Sequence, residues 1–283
     1  MTDTTRIWFI TGCSTGLGYA LAQAVLERGE RAVLTARRPE QLAELAARHG
    51  ERALVKRLDV TDAWSIKEAV AAAEARFGRI DVLVNAAGYG YLAAIEEGLD
   101  DAVRAQFETN VFGLLAVTKC VLPGMRARRG GHIVNISSIG GLLALAGTGH
   151  YHATKFAVEA LSESLWHEVA PLGVKVTLVE PGPFRTDFAG RSLIESPTVI
   201  ADYAETAGKR REQTRANSGK QPGDPVRAAA AIIQAVEAEQ PPLRLLLGAT
   251  ALKMAYDRLD ALRANFDAWR DVTLSADYPE FGR

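Results

Sequence analysis

The run Ile7-Trp-Phe-Ile10, followed at once by Thr11-Gly-Cys-Ser-Thr-Gly-Leu-Gly18, constrains the fold of this chain more than any other stretch. Four apolar residues read as a buried strand. Beyond the glycines, Leu17, Leu21 and Val25 repeat every four residues, the period of a helix. Strand, glycine turn and helix in immediate succession open an α/β domain. Gly12, Gly16 and Gly18 let the backbone turn tightly and approach a diphosphate, whose charge suits the unpaired N–H groups at a helix start. The spacing Gly-x-x-x-Gly-x-Gly differs from the Gly-x-Gly-x-x-Gly of many dinucleotide folds, and a plain tight turn would use glycine as well. A Gly-x-x-x-x-Gly-Lys-Ser/Thr loop is absent, which argues against an ATPase.

The unit then repeats. Residues 32–36 read as a second strand, 39–49 as a helix, 53–58 as a third strand ending at Asp59, 62–77 as a helix before Gly78, and 80–84 as a fourth strand running into Asn85-Ala-Ala-Gly88. This alternation predicts one doubly wound, three-layer α/β/α domain with a parallel sheet of about seven strands. Ligands of such sheets bind beyond the carboxyl ends of the strands, where Arg37, Arg38, Asp59 and the 85–88 turn fall.

A long helix is expected over 100–125, with Asn110 among Phe107, Val111, Phe112 and Leu114. A buried amide needs partners, so Asn110 either fills a packing defect or serves a site. Cations are favoured at a helix end, and Arg126 to Arg129 read as a solvated one. A fifth strand over 132–137 leaves Ser138 just past its carboxyl end, and a sixth over 175–179 runs into Glu180-Pro-Gly-Pro-Phe-Arg-Thr186. The alternation stops over 187–223, a polar segment with scattered Phe188, Leu193, Ile194, Val199 and Tyr203 that reads as a substrate lid. Asp224 and Pro225 open a helix to Glu239, and a seventh strand covers 243–247. A C-terminal helix over about 249–272 carries Leu252, Tyr256, Leu259, Leu262, Phe266 and Trp269 at three- and four-residue steps, so it should lie against the domain or a neighbouring subunit.

Between the fifth and sixth strands a helix is expected over 151–170, which places Tyr151 and Lys155 on one face. A cation beside a phenol favours the phenolate, so the tyrosine, whose pKa is normally about 10, can move towards neutrality and act as a general acid or base. The same spacing arises by chance on surface helices, and the rest of the chain has to decide.

Composition removes several classes. Lys plus Arg number 33 against 34 Asp plus Glu, which offers no field for nucleic acid or an anionic membrane. No apolar run approaches the ~18 residues of a membrane span, and the first strand begins without a leader pattern. Cys13 and Cys120, in different elements, fit a reducing compartment, the cytoplasm. His150, His152 and His167 share no ligand spacing with acids or thiols, so no metal is expected.

Taken in order, these motifs resemble the short-chain dehydrogenase/reductase family of Rossmann-fold oxidoreductases over about residues 7–247. Thr11 to Gly18 matches the family's T-G-x-x-x-G-x-G, with Ser14, Thr15 and Leu17 inside the cofactor loop. Asp59-Val60 matches its adenine contact and Asn85-Ala-Ala-Gly88 its N-x-A-G turn, although Ala86 stands where many members have a second asparagine. Pro181, Gly182 and Thr186 match its nicotinamide-side turn, and Asn110, Ser138, Tyr151 and Lys155 its catalytic set. The resemblance implies that Tyr151 exchanges a proton with the substrate oxygen while Ser138 hydrogen-bonds it. Lys155 would lower the tyrosine's pKa and hold the nicotinamide ribose, and Asn110 would position a water leading to solvent. Hydride would pass between nicotinamide and a carbonyl carbon without a metal.

Arg37 stands first after the second strand, where NADP-preferring relatives carry arginine and NAD binders an acid, so NADP(H) is expected rather than NAD. Tyr89, Tyr91, Leu142, Leu143, Phe184, Phe188 and Tyr203 would line an apolar pocket for a small carbonyl or alcohol substrate. A homodimer or homotetramer is the expected assembly. A non-catalytic, NADP-binding regulator on the same fold is one alternative, against which the intact Ser138, Tyr151 and Lys155 set weighs; a family member of different chemistry, such as double-bond reduction or epimerisation, is the other, since fold does not determine reaction.

Overall fold

The apolar runs pair into one parallel sheet in the computed structural model, which describes residues 5–190, 192–278 and 281. The first half holds β1 (Ile7–Ile10), α1 (Gly16–Glu27), β2 (Arg31–Ala36), α2 (Ala43–His49), β3 (Ala53–Arg57), α3 (Ala63–Phe77) and β4 (Val82–Asn85). After the short β5 (Gly90–Leu92) come α4 (Asp100–Phe107), α5 (Leu114–Arg128), β6 (Gly131–Ile136), α6 (Gly149–Val169) and β7 (Val174–Pro181). The chain continues through β8 (Leu193–Glu195), α7 (Lys209–Ala216), α8 (Pro225–Glu237), β9 (Arg244–Leu247), α9 (Ala249–Ala268) and α10 (Arg270–Leu274).

Strand order is β3-β2-β1-β4-β6-β7-β9, with every pairing parallel. Crossovers run outward from β1 in one direction and from β4 in the other, so the carboxyl ends of these two strands diverge into a crevice. Side chains alternate across the sheet. Trp8, Ile10, Leu34 and Val84 pack with Leu21, Val25, Ile232 and Ile233 on one face, while Phe9, Val33, Leu83 and Ile133 pack with Val70, Val117, Val121 and Met125 on the other. Both faces being covered is why the strands read as continuous apolar runs. Helix starts follow their caps: the Asp62 carboxylate accepts from the Trp64 and Ser65 amides, and Asp224 accepts from Val226 ahead of Pro225.

Three regions differ from the expectation. The helix expected over 100–125 is two helices joined by a wide π turn at Glu108–Gly113. A Cβ on Gly113 would lie 2.7 Å from Val60 Cγ2, and the Asn110 amide is tied to the Tyr89 backbone and to Thr154. Those long-range ties widen the helix where local periodicity shows nothing unusual. Along α9 only Ala251 and Ala255 are buried. Leu262 is half-buried, and Leu252, Tyr256, Leu259, Phe266 and Trp269 face outward, because the small alanine stripe is what docks on the domain.

The third is the segment 187–223. Its β8 pairs in parallel with β5, aligning Tyr91 with Ile194, and its helix α7 is pinned from below. The buried Glu97 carboxylate accepts from the Ala94 and Ile200 amides at 2.8 and 2.9 Å and meets buried Arg211 at 2.6 Å. Burial alone would raise the Glu97 pKa, but these hydrogen bonds and the guanidinium outweigh it and hold the carboxyl below its ordinary range.

A folded pKa below the unfolded one stabilises the protein above the unfolded value of about 4.3 and loses that contribution as pH falls through the folded value. Arg211→Met should therefore destabilise the protein by about 3–5 kcal/mol at neutral pH, because Glu97 is left buried and unpaired. The deficit should shrink in acid, where Glu97 is protonated with or without its partner. Urea unfolding of both proteins from neutral to acid pH measures it; an equal deficit throughout would show that lost packing, not the charge pair, is responsible.

Candidate active site

Two backbone segments must nearly touch to form the floor of the crevice. Gly12 sits at φ 69° and Gly16 at φ 63°, a left-handed region that other residues rarely adopt. A Cβ on Gly12 would fall 2.8 Å from Ala87 Cα, and one on Gly18 would fall 2.6 Å from the Gly12 carbonyl oxygen. The Thr11 hydroxyl locks the approach by accepting from the Ala86 and Ala87 amides at 3.0 and 3.1 Å. Thr11 therefore shapes the 85–88 turn, a task its place in the glycine motif does not reveal. The loop leaves the first amides of α1 unpaired at the strand end, with Ser14, Thr15 and Leu17 around them, a cradle suited to a diphosphate. Thr186 crosses over it, its side chain 3.7 Å from a Cβ on Gly16, while Pro181 ends β7 and Gly182 donates to the Leu247 carbonyl.

Asn85 contributes differently. Its side-chain amide is buried and donates to Thr118 and Asn135 at 3.0 and 2.9 Å, and Asn135 donates in turn to Ser162. This side chain ties β4 to β6, α5 and α6 from within, so only the Asn85 backbone reaches the crevice. Gly88 is small for a stated reason: its Cβ would lie 3.0 Å from Asn110 Oδ1 and 3.9 Å from Lys155 Nζ.

At the other end, Arg37 stands exposed after β2 and acts electrostatically on both Asp59 and Tyr89. Burial alone would raise the Asp59 carboxyl; two hydrogen bonds from Thr61, with Arg37 and Arg57, hold it below its ordinary range. Val60 is buried and packs on the Gly113 side of the π turn. Arg38 is also exposed.

The catalytic candidates meet over α6, which starts at Gly149, two residues earlier than expected. The Ser138 hydroxyl accepts from the Gly140 amide at 3.0 Å and lies beside the Tyr151 phenol, whose pKa it draws down. Lys155 is buried, donates to the Ile136 carbonyl at 2.8 Å, and places its ammonium 5.8 Å from the centre of the Tyr151 ring. The lowering of the Tyr151 pKa expected from Lys155 is absent in this chain alone. Burial pushes the phenol up to about 12, opposed only by the Ser138 hydrogen bond, and pushes Lys155 down to about 8, opposed by the charge of Glu159. The ammonium addresses a carbonyl and a ring face rather than the phenolic oxygen, so desolvation prevails over Coulomb attraction. The Asn110 side chain receives the Tyr89 amide and donates to the Tyr89 carbonyl and to Thr154, so it ties the 88–89 turn to α6.

Of the residues expected to line a substrate pocket, Phe188 stacks 5.5 Å from Tyr151 and is partly exposed beside it. Leu142 and Leu143 follow the Ser138 turn, and Leu143 borders a groove closed on its far side by Met254, Asp257 and Arg258 of α9. Periodicity along α9 gives no sign that it borders this groove, because only tertiary packing brings it there. Tyr91 is buried, with its hydroxyl accepting from the Leu99 amide, and supports the wall from behind. Phe184 turns towards the core and packs on Gly223 and Gly248. Tyr203 donates to Glu96 at the surface, and the Tyr89 phenol lies on the Arg37 side. Among the described residues no group of three or more His, Cys, Asp or Glu could hold a metal, and no helix is long and apolar enough to cross a membrane.

The profile of the short chain dehydrogenase family matches residues 6–195. Oxidoreductase BOA17 of Botryotinia fuckeliana is 42% identical over 273 residues, 96% of this chain and 99% of that protein. A 3-ketodihydrosphingosine reductase of Bacteroides thetaiotaomicron is 39% identical over 248 residues, 86% of this chain and 88% of that protein. A solved short-chain dehydrogenase from Streptomyces avermitilis superposes with a TM-score of 0.92 at 44% identity, covering 98% of this chain and all of that one. With the doubly wound sheet, the glycine cradle and the Ser138, Tyr151, Lys155 cluster in one crevice, this chain belongs to the short-chain dehydrogenase family of oxidoreductases.

Proposed function

We propose that this protein is an NADPH-dependent carbonyl reductase that interconverts a hydrophobic ketone or aldehyde and its alcohol. The observation that carries the reading is the convergence of Ser138, Tyr151 and Lys155 beside the glycine cradle. A nicotinamide bound along the crevice supplies the hydride. The Ser138 hydroxyl orients the substrate oxygen, and Tyr151 gives that oxygen its proton. A phenol pushed up to about 12 keeps its proton at neutral pH, which suits the acid of a reduction. Lys155, buried and close by, offers a cation for the developing charge and for the ribose. Asn110 holds the turn over which these groups act.

Arg37, with no acid at the end of β2, supports a 2′-phosphate and hence NADP(H) over NAD. Phe188 against Tyr151, with Leu142 and Leu143 after the Ser138 turn, favours an apolar substrate, and the ketone reductase among the relatives supports a carbonyl as the reacting group. Free Cys13 and Cys120 support a reducing compartment, the cytoplasm. A homodimer or homotetramer would cover the outward apolar stripe of α9.

Tyr151→Phe keeps the ring and removes the proton donor, so turnover should fall by about 10²–10⁴ while NADPH binding is unchanged. Fluorescence titration and steady-state assay of a carbonyl panel separate the two, and near-normal turnover would remove Tyr151 from its role. Arg37→Ala should raise the KM for NADPH by roughly ten- to a hundredfold, the worth of one charge-assisted contact, and leave that for NADH unchanged. A wild-type enzyme using both cofactors equally well would overturn the assignment of Arg37.

A further inference from the structure

Tyr151, Lys155, Glu159 and Glu163 lie four apart along α6 and so share one face. The first two face the crevice; the other two meet the ends of β7 and β9. There Glu180 is fully buried and Glu159 is 5% exposed. One guanidinium serves them both: Arg244 Nη1 pairs with Glu159 Oε2 and lies 2.9 Å from Glu180 Oε1, while Nη2 lies 2.8 Å from Glu163. The remaining oxygens, Glu159 Oε1 and Glu180 Oε2, have no hydrogen-bond partner, and neither has the buried Ser137 hydroxyl. Gly141 leaves room for this arrangement, since its Cβ would come within 2.8 and 2.9 Å of Ser137 Oγ and Glu159 Oε1.

Two buried carboxylates with one shared cation and unpartnered oxygens are costly if both are ionised, whereas one added proton supplies the missing donor and removes their mutual repulsion. We infer that Glu159 and Glu180 share a proton behind α6, and that the charge of this pair governs the protonation of Lys155, making both glutamates positioning residues for the Tyr151 and Lys155 couple. The inference rests on the catalytic reading of Lys155 above. The charged and titratable groups around the pair are Tyr151, Lys155 and Glu163 from α6, Glu180 from β7 and Arg244 from β9; the turn Ile139–Gly141 adds none, and Ser137 and Ser138 flank it.

The sign follows from the same groups. Burial and the Glu159 carboxylate push Glu180 up to about 7 against the pull of Arg244, so Glu180 is the side of the pair that holds the shared proton below neutrality. As pH rises through neutrality the pair passes from one negative charge to two. That added charge favours the Lys155 ammonium in the range where burial would otherwise strip its proton. Removing either charge should let Lys155 deprotonate at lower pH, and removing Glu159 should do so more, because its charge is the one that acts on Lys155 directly.

The test compares wild type with Glu159→Gln and Glu180→Gln, which keep the shape. Infrared difference spectra of the cofactor-free protein should show a protonated-carboxyl band that disappears as pH rises through neutrality and is missing in Glu180→Gln. The alkaline limb of kcat/KM should move down by on the order of half a pH unit in Glu159→Gln and by less in Glu180→Gln. A purely structural pair would lower stability in both variants and leave that limb in place. No neutral-range carboxyl band in the wild type, or an unmoved limb in folded variants, overturns the inference. Should a variant fail to fold, the wild-type band alone decides. Should the wild type reduce no carbonyl compound, the catalytic reading fails, while the spectra still judge the pair.

Discussion

The near-contact between Gly12 and Ala87 is the constraint on which the rest of the crevice depends. It brings the ends of β1 and β4 within touching distance, and the Thr11 hydroxyl seals it by receiving two amides of the 85–88 turn. With that turn held, Gly88 can sit against Asn110, and Asn110 can grip the Tyr89 backbone and Thr154 of α6. A chain of small residues and polar ties thus runs from the glycine loop to α6. A side chain at Gly12 would open it at the first link.

Burial does opposite things to the two partners on α6. Desolvation disfavours whichever form is charged, so it raises the phenol and lowers the ammonium, and both move towards neutrality. A neutral phenol with a hydrogen-bonded serine is suited to giving a proton, and an ammonium of reduced basicity is suited to passing one on. The Glu159 carboxylate further along the helix opposes the loss of the lysine's charge. Position along a single helix face therefore orders acid, cation and counter-charge from crevice to interior.

The segment 187–223 combines fixed and open parts for an equally physical reason. Glu97 and Arg211 anchor α7 through a buried ion pair, and β8 adds main-chain hydrogen bonds to β5. Phe188, by contrast, stands partly exposed against Tyr151.

Local patterns were enough to read the architecture from the residues. Apolar runs, glycines and four-residue periodicity depend on neighbours within a few positions, and they sufficed for the doubly wound sheet, for placing Gly12, Asp59 and Ser138 just past strand ends, and for placing Tyr151 and Lys155 on one helix. What needed the tertiary structure involves partners far apart in the chain. The π turn at Asn110 follows from its ties to Tyr89 and Thr154, the inward side chain of Asn85 from Thr118 and Asn135, and the clamp on the lid from Glu97 meeting Arg211. The direction of the Tyr151 shift belongs to the same class. The spacing of Tyr151 and Lys155 suggests a lowered pKa, yet its sign is set by how much water the fold removes and by where the ammonium points, and neither is written in a spacing.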